Sequence, residues 1–596
     1  MPSRHTLPAV HSGQIVAAQA AALVWLAGGG HPAAAGAAAV LLAAAFGRVR
    51  GRWLHEWARL VTGLAVRRWR TTPDAGAMST LARVRPGIRA VEVALDRPAA
   101  GLDDGYGTVV LLDLDDAGVD GQPLVVPALP DLPVQLVVST RAAAGGPATV
   151  DTRGVGRPAA AGTGPPLLRQ VLLAVRIPPG GDAAGWVRAV TGRLAPLQAR
   201  PVPPGELTAV LEDLVGSGPV HESWSALHAG GLRQVTYRVG RDPTGPGAPV
   251  VVPFTTTAAL ATASPGGAGT PVTTTVGLCG RELTVRVAAA PGLRAPAPAA
   301  GRALRLDGQH LPGLAATLPL AVGPPHPAAP GLGVAVPVHV PAAGLVLGHD
   351  ADGAPVTVAL FGRGGTRVVL IGGVGEAVGL AGLALTAGVD VEVVTSRPAV
   401  WAPLAAGGGA GGGVRDGGTP GAAVPDGGVA GGAVPDGAAA GRLRLVPEPA
   451  SGPAGGTPHR PVLSLVDSDR GFLPAPRRWT AEVLVRQRLD GGAVGLLARA
   501  DTVLSRPLTD AETTVVSAAL GLGAAGAAVR GGTGWLAVVN RRTVRWVATG
   551  PPSAPRPAPP PGSASASSAS PAGSRSWRPG RPPAPPRGSA PPADVG

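Results

Sequence analysis

Two apolar runs without a charged side chain lie near the N-terminus and restrict what the chain can fold into. They are GQIVAAQAAALVWLAGG at residues 13–29 and AAAGAAAVLLAAAFGRV at 33–49, in which Arg48 is the first charge. Each run is about 17 residues long, the short end of the range for a membrane-spanning helix. The GGGHP segment at 28–32 breaks a helix and favours a turn. The sequence therefore predicts a transmembrane hairpin of two helices within residues 13–50.

The distribution of arginine predicts how this hairpin is oriented. Seven arginines lie between residues 48 and 70, and none lies in the turn. Positive residues stay on the cytoplasmic side of a membrane, so both ends of the hairpin and everything after it are expected in the cytoplasm, at the inner membrane of the cell. A secretory signal peptide is the alternative, because Arg4 precedes an apolar run. The second apolar run and the arginines after it count against a signal peptide.

The net charge of +14 is concentrated at the two ends of the chain. Residues 1–90 hold eleven arginines against Glu56 and Asp74, and residues 551–596 hold five against Asp594. The long segment between them is therefore close to neutral. A nucleic-acid-binding domain carries its basic patch on a folded face, so we expect no nucleic-acid partner.

Residues that the chain lacks exclude several chemistries. All 51 residues counted as Lys or Arg are arginine, which excludes a P-loop lysine, a Schiff base and a Ser/Lys pair. Neither H-E-x-x-H nor G-x-S-x-G occurs in the sequence. Cys279 is the single cysteine, so the chain has no internal disulfide and no Cys-rich zinc site. We expect Cys279 to be a small buried apolar residue.

Residues 51–70, GRWLHEWARLVTGLAVRRWR, have the spacing of an amphipathic helix. Trp53, Trp57, Leu60 and Leu64 fall on one stripe at 100° per residue, and most of the arginines group away from that stripe. Tryptophan and arginine on different sides of a helix are typical of the membrane interface. A helix that docks on its own soluble domain has the same pattern, and both interpretations stay open.

The remaining chain divides by composition into folded and low-complexity parts. The predicted parts are a short N-terminal segment (1–12), a small β-rich region (71–150), a Gly/Pro/Ala linker (151–165), an α/β domain (166–401 and 442–550), a disordered Gly-rich insertion (402–441) and a disordered Pro/Ala/Ser/Arg tail (551–596). The expected fold class is a membrane-anchored α/β (α+β) protein, in which a two-helix transmembrane hairpin precedes a mixed α/β cytoplasmic domain with at least one βαβ unit.

The βαβ unit is predicted at residues 367–397, where RVVLIGG opens the segment. A dinucleotide-binding turn needs G-x-G-x-x-G, but after Gly373 and Gly375 the last glycine, Gly379, comes one residue late. Glu376 falls in the first helical turn, where its carboxylate would repel a pyrophosphate. We therefore expect a structural βαβ unit and assign no cofactor-binding residue.

Other polar clusters give weak signals for a metal or catalytic site. His221, Glu222 and His228 lack metal-ligand spacing, and the aspartates at 113, 115 and 116 lack the glycine and late glutamate of a calcium loop. Asp467 and Asp469 in VDSD directly follow a predicted strand with D-x-D spacing, which makes them the best candidates for a metal-binding pair. The sequence assigns no catalytic, cofactor-binding or metal-binding residue and predicts no cofactor.

Several segments together resemble one known family. They are RVRGRWLHEW (48–57), ESWSALHAGGLRQVTYRV (222–239), AGLVLGHDADGAPVTVALF (343–361) running into RVVLIGG, SRPAVW (396–401), ADTVLSRPLTDAE (500–512) and LAVVNRRTVRWV (536–547). In order and spacing, the chain resembles EccE, a membrane component of the actinobacterial type VII secretion system. The resemblance covers roughly residues 13–401 and 442–548.

The resemblance implies a structural role without catalysis. EccE-like proteins lie at the periphery of an inner-membrane complex with EccB, EccC and EccD, and the motor ATPase activity belongs to EccC. Partners of this kind and the lipid bilayer are therefore expected. The alternative is a membrane-anchored α/β protein that binds nucleotide sugars, or a glycosyltransferase-like enzyme, in which acidic residues at strand ends would hold a metal and a nucleotide.

Overall fold

A computed structural model describes most of the chain between residues 12 and 548. The described residues are 12–49, 52–69, 76–95, 97–114, 124–127, 129, 133–141, 167–216, 218–239, 272–279, 282–289, 303–321, 336–338, 343–351, 353–406, 443–446, 455–468, 471–472, 477–522, 535–540 and 544–548. The predicted linker, most of the Gly-rich insertion and the C-terminal tail lie outside them.

Eleven α-helices occur in the described residues. They are α1 (Ser12–Ala27), α2 (Pro32–Phe46), α3 (Leu54–Trp69), α4 (Ala77–Val84), α5 (Ala183–Arg193), α6 (Leu207–Val215), α7 (His310–Ala316), α8 (Val374–Thr386), α9 (Pro398–Ala406), α10 (Val494–Ala498) and α11 (Asp510–Leu520). Short 3₁₀ helices span Ala195–Leu197, Pro204–Glu206 and Gly491–Ala493.

The strands of the described residues form two large sheets and two small pairs. Strands up to residue 338 are β1 (Arg48–Val49), β2 (Arg52–Trp53), β3 (Arg89–Val93), β4 (Ala99–Asp103), β5 (Thr108–Asp113), β6 (Leu124–Val126), β7 (Val134–Arg141), β8 (Leu168–Ile177), β9 (Arg200–Pro201), β10 (His221–Glu222), β11 (Leu227–Ala229), β12 (Leu232–Val239), β13 (Thr273–Cys279), β14 (Glu282–Ala289), β15 (Ala303–Arg305) and β16 (Val336–Val338). Later strands are β17 (Leu345–His349), β18 (Pro355–Val358), β19 (Thr366–Ile371), β20 (Asp390–Thr395), β21 (Leu443–Val446), β22 (Val462–Asp467), β23 (Thr480–Arg486), β24 (Thr502–Ser505), β25 (Trp535–Val539) and β26 (Val544–Ala548).

The first lobe, residues 77–338, is built on an antiparallel sheet of 12 strands. Its order is β10-β11-β12-β14-β13-β7-β8-β5-β4-β3, with β15 on β12 and β9 on β5. Both faces are buried: alternate residues such as Leu112 and Leu173 share a core with α5, and Leu111 and Leu172 share one with α4, α6 and α7. Within the predicted β-rich region 71–150, β5 and β7 pair with β8, and β7 also pairs with β13, so one sheet extends across the predicted linker.

The second lobe, residues 345–548, is built on a mixed sheet of 10 strands. Its order is β18-β17-β26-β25-β24-β19-β23-β22-β20-β21, in which the strands from β24 to β21 are parallel. Val368 and Leu370 share a core with α8, whereas Val369 and Ile371 pack with α10 and α11 on the other face. Burial on both faces explains the uninterrupted apolar run of this strand.

The predicted βαβ unit is present as β19, α8 and β20. Its two strands are not neighbours, because β23 and β22 lie between them. The mixed α/β class and the presence of a βαβ unit are therefore confirmed. Which strands lie next to β19 and β20 is set by the tertiary fold. The spacing of Thr509 and Glu512 in the sequence also predicts a capping box, and the structure confirms it at the start of α11.

At the N-terminus, α1 and α2 form a helical hairpin. The Gln14 side chain donates to the carbonyl of Ala45 at 3.2 Å and joins the open ends of the two helices. Large apolar side chains, including Val16, Leu26 and Val40, are exposed on the hairpin. Among the residues that the structure describes, no helix is both long enough and apolar enough to cross a membrane.

The two lobes join through charged side chains that are withdrawn from water. Asp213 of α6 is 6 % exposed, accepts from Trp479 Nε1 at 2.9 Å and forms an ion pair with Arg478, both in the second lobe. Arg141 of β7 donates to the carbonyls of Pro458 and Gly388 at 3.0 and 3.3 Å. Because neither ionic group retains much contact with water, each depends on the opposite lobe for its partners.

Burial raises the pKa of Asp213 to about 6, against the lowering effects of the Arg478 charge and the Trp479 hydrogen bond. The folded protein therefore holds this proton more tightly than the unfolded chain does. This contribution to stability is present below the ordinary aspartate pKa and is lost as the pH rises through about 6.

We predict that Asp213→Asn removes one pH-dependent component of the free energy of unfolding. Asparagine does not titrate and keeps an oxygen acceptor for Trp479. The stability of the wild type relative to this variant should fall by about 2 kcal/mol between pH 4 and pH 7. Urea unfolding at several pH values measures it, with the exposed Asp490→Asn as control. A relative stability that rises with pH would show that Arg478 stabilises the Asp213 carboxylate more than burial destabilises it.

Candidate functional site

The carboxyl ends of the parallel strands are the place where open α/β sheets bind ligands. In the second lobe this edge is formed by the residues that end or follow β20, β22, β19 and β24. They are Thr395 with Arg397, Asp467, Gly372 with Gly373, and Ser505 with Arg506. The edge therefore brings together the glycine turn and the aspartate that the sequence singled out.

The glycine turn at the start of α8 is covered by the Glu376 side chain. A Cβ atom added to Gly373 would lie 3.1 Å from Glu376 Oε2, and one added to Gly372 would lie 3.2 Å from its Cδ. The carboxylate thus folds back over the helix N-terminus, the position in which a dinucleotide-binding turn holds a phosphate. A phosphate placed there would meet a negative charge at close range.

Asp467 ends β22 and is bound by three residues from the end of β20 and the segment that follows it. Its carboxylate is 4 % exposed, accepts from Thr395 Oγ1 at 3.1 Å and from Trp401 Nε1 at 3.2 Å, and forms an ion pair with Arg397. Both carboxylate oxygens are engaged within the protein. Asp467 therefore anchors the start of α9 to the sheet. Its predicted partner, Asp469, lies outside the described residues.

A second carboxylate on this edge is engaged in the same way. Glu512 in the first turn of α11 accepts from the Thr509 backbone N–H at 3.0 Å and pairs with Arg506 at 3.1 Å. Burial acts to raise the pKa of Glu512, but the hydrogen bonds from Thr509 and the charge of Arg506 bring it below its ordinary value. The carboxylate stays ionised and links the end of β24 to the helix that follows.

The remaining polar residues flagged in the sequence are dispersed. His221 and His228 are opposite each other on β10 and β11, and both are exposed. Burial lowers the pKa of His228, and the charges of Arg233 and His221 add to this effect. Asp113 forms an ion pair with Arg363. Residues 115 and 116 fall outside the described chain, and the described residues contain no group of three His, Cys, Asp or Glu placed to hold a metal ion.

Cys279 differs from its prediction. It is partly exposed, because it is the last residue of β13 and lies where the strand leaves the sheet. The position of Cys279 at a strand end therefore affects its exposure more than the apolar character of its thiol does.

The buried role of Glu222 was not predicted from the sequence. Its carboxylate, 2 % exposed, accepts from Arg67 Nε at 2.8 Å and from the Leu311 N–H at 2.9 Å. Arg67 also donates to the carbonyl of Gly308, and Arg68 donates to the carbonyl of Glu222 at 3.0 Å. The sequence signal for this contact is the pair Arg67 and Arg68, which interrupts the amphipathic pattern of residues 51–70.

An aromatic stack completes the attachment of α3 to the first lobe. The rings of Trp57 and Trp224 are 5.2 Å apart between centroids and 15° from parallel. Of the two interpretations of this helix, docking on its own soluble domain is therefore the one that has contacts in the structure.

Comparison of the sequence with protein-family models and with curated proteins finds no match.

We predict that Asp467 is needed for stability and not for metal binding. Asp467→Ala leaves Trp401 Nε1 and Thr395 Oγ1 buried without their acceptor, and should lower the free energy of unfolding by about 2–4 kcal/mol. The matched control is Asp390→Ala at the start of β20, whose ion pair with the exposed Arg460 should contribute less than about 1 kcal/mol.

Chemical denaturation followed by tryptophan fluorescence compares the two variants, with and without Mn²⁺. Equal losses in both variants would contradict the anchoring role. A stability increase with Mn²⁺ that Asp467→Ala abolishes would instead assign the carboxylate to a metal.

Proposed function

We propose that the protein is a structural, non-catalytic subunit of a type VII secretion inner-membrane complex, similar to EccE, and that it supports assembly and protein export. The observation that supports a non-catalytic role is that the protein's own side chains fill the carboxyl edge of the parallel sheet. Three acidic groups at this edge, Asp467, Glu512 and Glu376, are engaged by the protein's own side chains or lie over the turn that a phosphate would need.

Membrane anchorage is part of this proposal, and the N-terminal hairpin supports it. Helices α1 and α2 are apolar on most sides and expose large side chains such as Leu23, Trp25 and Phe46. Exposed apolar surface on this scale marks an interaction with lipid or with another protein. The proposed arrangement has the hairpin in the inner membrane and both lobes in the cytoplasm.

The proposed partners are EccB-, EccC- and EccD-like membrane components. They follow from the resemblance in segments such as 48–57, 222–239, 343–361, 500–512 and 536–547. Export would then be powered by an EccC-like ATPase, and this chain would contribute contact surface.

The alternative is a membrane-anchored protein that binds nucleotide sugars, or a glycosyltransferase-like enzyme. The parallel sheet and the aspartate at the end of β22 favour it. For such a role, Asp467 would have to exchange its hydrogen bonds from Thr395 and Trp401 for a metal ion.

We predict that a tagged copy, purified from its own membranes in mild detergent, is recovered in a large assembly. Mass determination and protein identification should find EccB-, EccC- and EccD-like chains with it. Recovery as a monomer or a small homo-oligomer without these chains would overturn the proposed function.

Titration with UDP-sugars and Mn²⁺ tests the alternative directly. We expect no saturable heat of binding for the wild type. Binding that is lost in Asp467→Ala and strengthened in Glu376→Ala, which removes the carboxylate from the turn, would support the enzyme.

A further inference from the structure

Helix α3 has two faces with different surroundings. At 100° per residue, Trp57, Leu60, Leu64 and Arg67 share one face. Trp57 and Arg67 contact the first lobe from this face, and Leu60 and Leu64 are buried. On the opposite side, the side chains that the structure describes include Ala58, Arg59, Thr62, Ala65, Val66 and Trp69, all of which are exposed. These six residues are called the free face of α3.

The attachment to the first lobe fixes which way the free face points. The Trp57–Trp224 stack near the start of α3 and the Arg67–Glu222 ion pair near its end are separated by nearly three turns. Two contacts so far apart on one side of a helix prevent its rotation about its own axis. The free face is therefore held outward as a fixed surface of the protein.

The composition of the free face suits the boundary between lipid and water. Trp69 is 91 % exposed, whereas tryptophan in soluble proteins is highly buried on average. Arg59 is the single charged residue of this face, and the face contains no acidic residue. An exposed tryptophan, small and apolar residues and a positive charge are the composition of a helix that lies at the headgroup level.

The start of α3 lies at the end of the hairpin. The Leu54 N–H donates to the Gly47 carbonyl at 2.8 Å, so α3 begins where α2 ends. A Cβ atom on Gly47 would lie 2.3 Å from the Ala43 carbonyl oxygen and 2.6 Å from Leu54 Cδ1. The corner between the helices has no room for a side chain, and it places α3 directly at the base of the hairpin.

We propose that the free face of α3 lies on the headgroup layer of an anionic membrane, with Trp69 at headgroup depth and Arg59 against lipid phosphates. The inference rests on the membrane anchorage in the proposed function and extends it. Because the other face of α3 is bound to Glu222 and Trp224, the edge of the first lobe at β10 and β11 faces the same membrane. The helix thus sets the orientation of the lobe relative to the bilayer.

The test places an environment-sensitive fluorophore on the free face of the full-length protein. In a Cys279→Ala background, Trp69→Cys is labelled with a nitrobenzoxadiazole probe. The control is Leu383→Cys on α8 in the second lobe. Like Trp69, Leu383 is an apolar residue on a helix, and it is 40 % exposed. Both proteins are reconstituted into phosphatidylglycerol-containing vesicles, with or without phosphatidylcholine that carries a doxyl quencher high on its acyl chain. Thermal unfolding followed by circular dichroism checks the fold of each variant.

For the probe at position 69, we expect the emission to shift to the blue when vesicles are added and to be quenched when the vesicles carry the doxyl lipid. For the probe at position 383, we expect neither change. Flotation with the vesicles reports the anchorage separately. Vesicle-bound protein without quenching at position 69 would overturn the inference and leave the proposed anchorage intact. Failure to float would overturn both. A probe at position 69 that is shielded in the purified assembly but unquenched in vesicles would assign the free face to a protein partner.

Discussion

Charged side chains buried between the two lobes need partners from the opposite lobe, and this requirement fixes how the two sheets are joined. Asp213 belongs to the first lobe, yet Arg478 and Trp479 of the second lobe bind its carboxylate. The Arg141 side chain likewise donates hydrogen bonds to backbone carbonyl groups of the second lobe. A buried charge left without a partner costs several kcal/mol, so separating the lobes would either expose or orphan these groups. The two sheets therefore behave as one structural unit.

The same requirement determines what the parallel sheet can do at its carboxyl edge. In α/β enzymes, polar groups at this edge are left available for a ligand. Here Asp467 holds α9 in place, and Glu512 closes the turn between β24 and α11. Glu376 adds a negative charge over the glycine turn. Asp467 and Glu512 thus stabilise the protein's own structure at this edge, which supports the proposed structural role.

Part of this edge could be predicted from the sequence. The spacing of Gly373, Gly375 and Gly379 predicts a βαβ unit, which the structure contains. That this unit is poorly suited to a pyrophosphate stays a prediction, and Glu376 lies close to Gly372 and Gly373. Asp467 was singled out because it follows a strand. Its engagement by Thr395 and Trp401 could not be predicted, because an aspartate after a strand has the same local sequence whether it binds a metal or a neighbouring loop.

The sequence by itself determined the features that depend on nearby residues: the apolar hairpin, the amphipathic α3, the βαβ unit and the capping box of α11. Periodicity and caps act over a few residues and can be read directly from the chain. Tertiary structure alone decided the partners of Glu222, Asp467 and Asp213, which lie 155, 70 and 265 positions from Arg67, Arg397 and Arg478. It also decided that β22 and β23 lie between β19 and β20. Such pairings depend on which surfaces meet when the sheets bury their faces, and no local pattern records that choice.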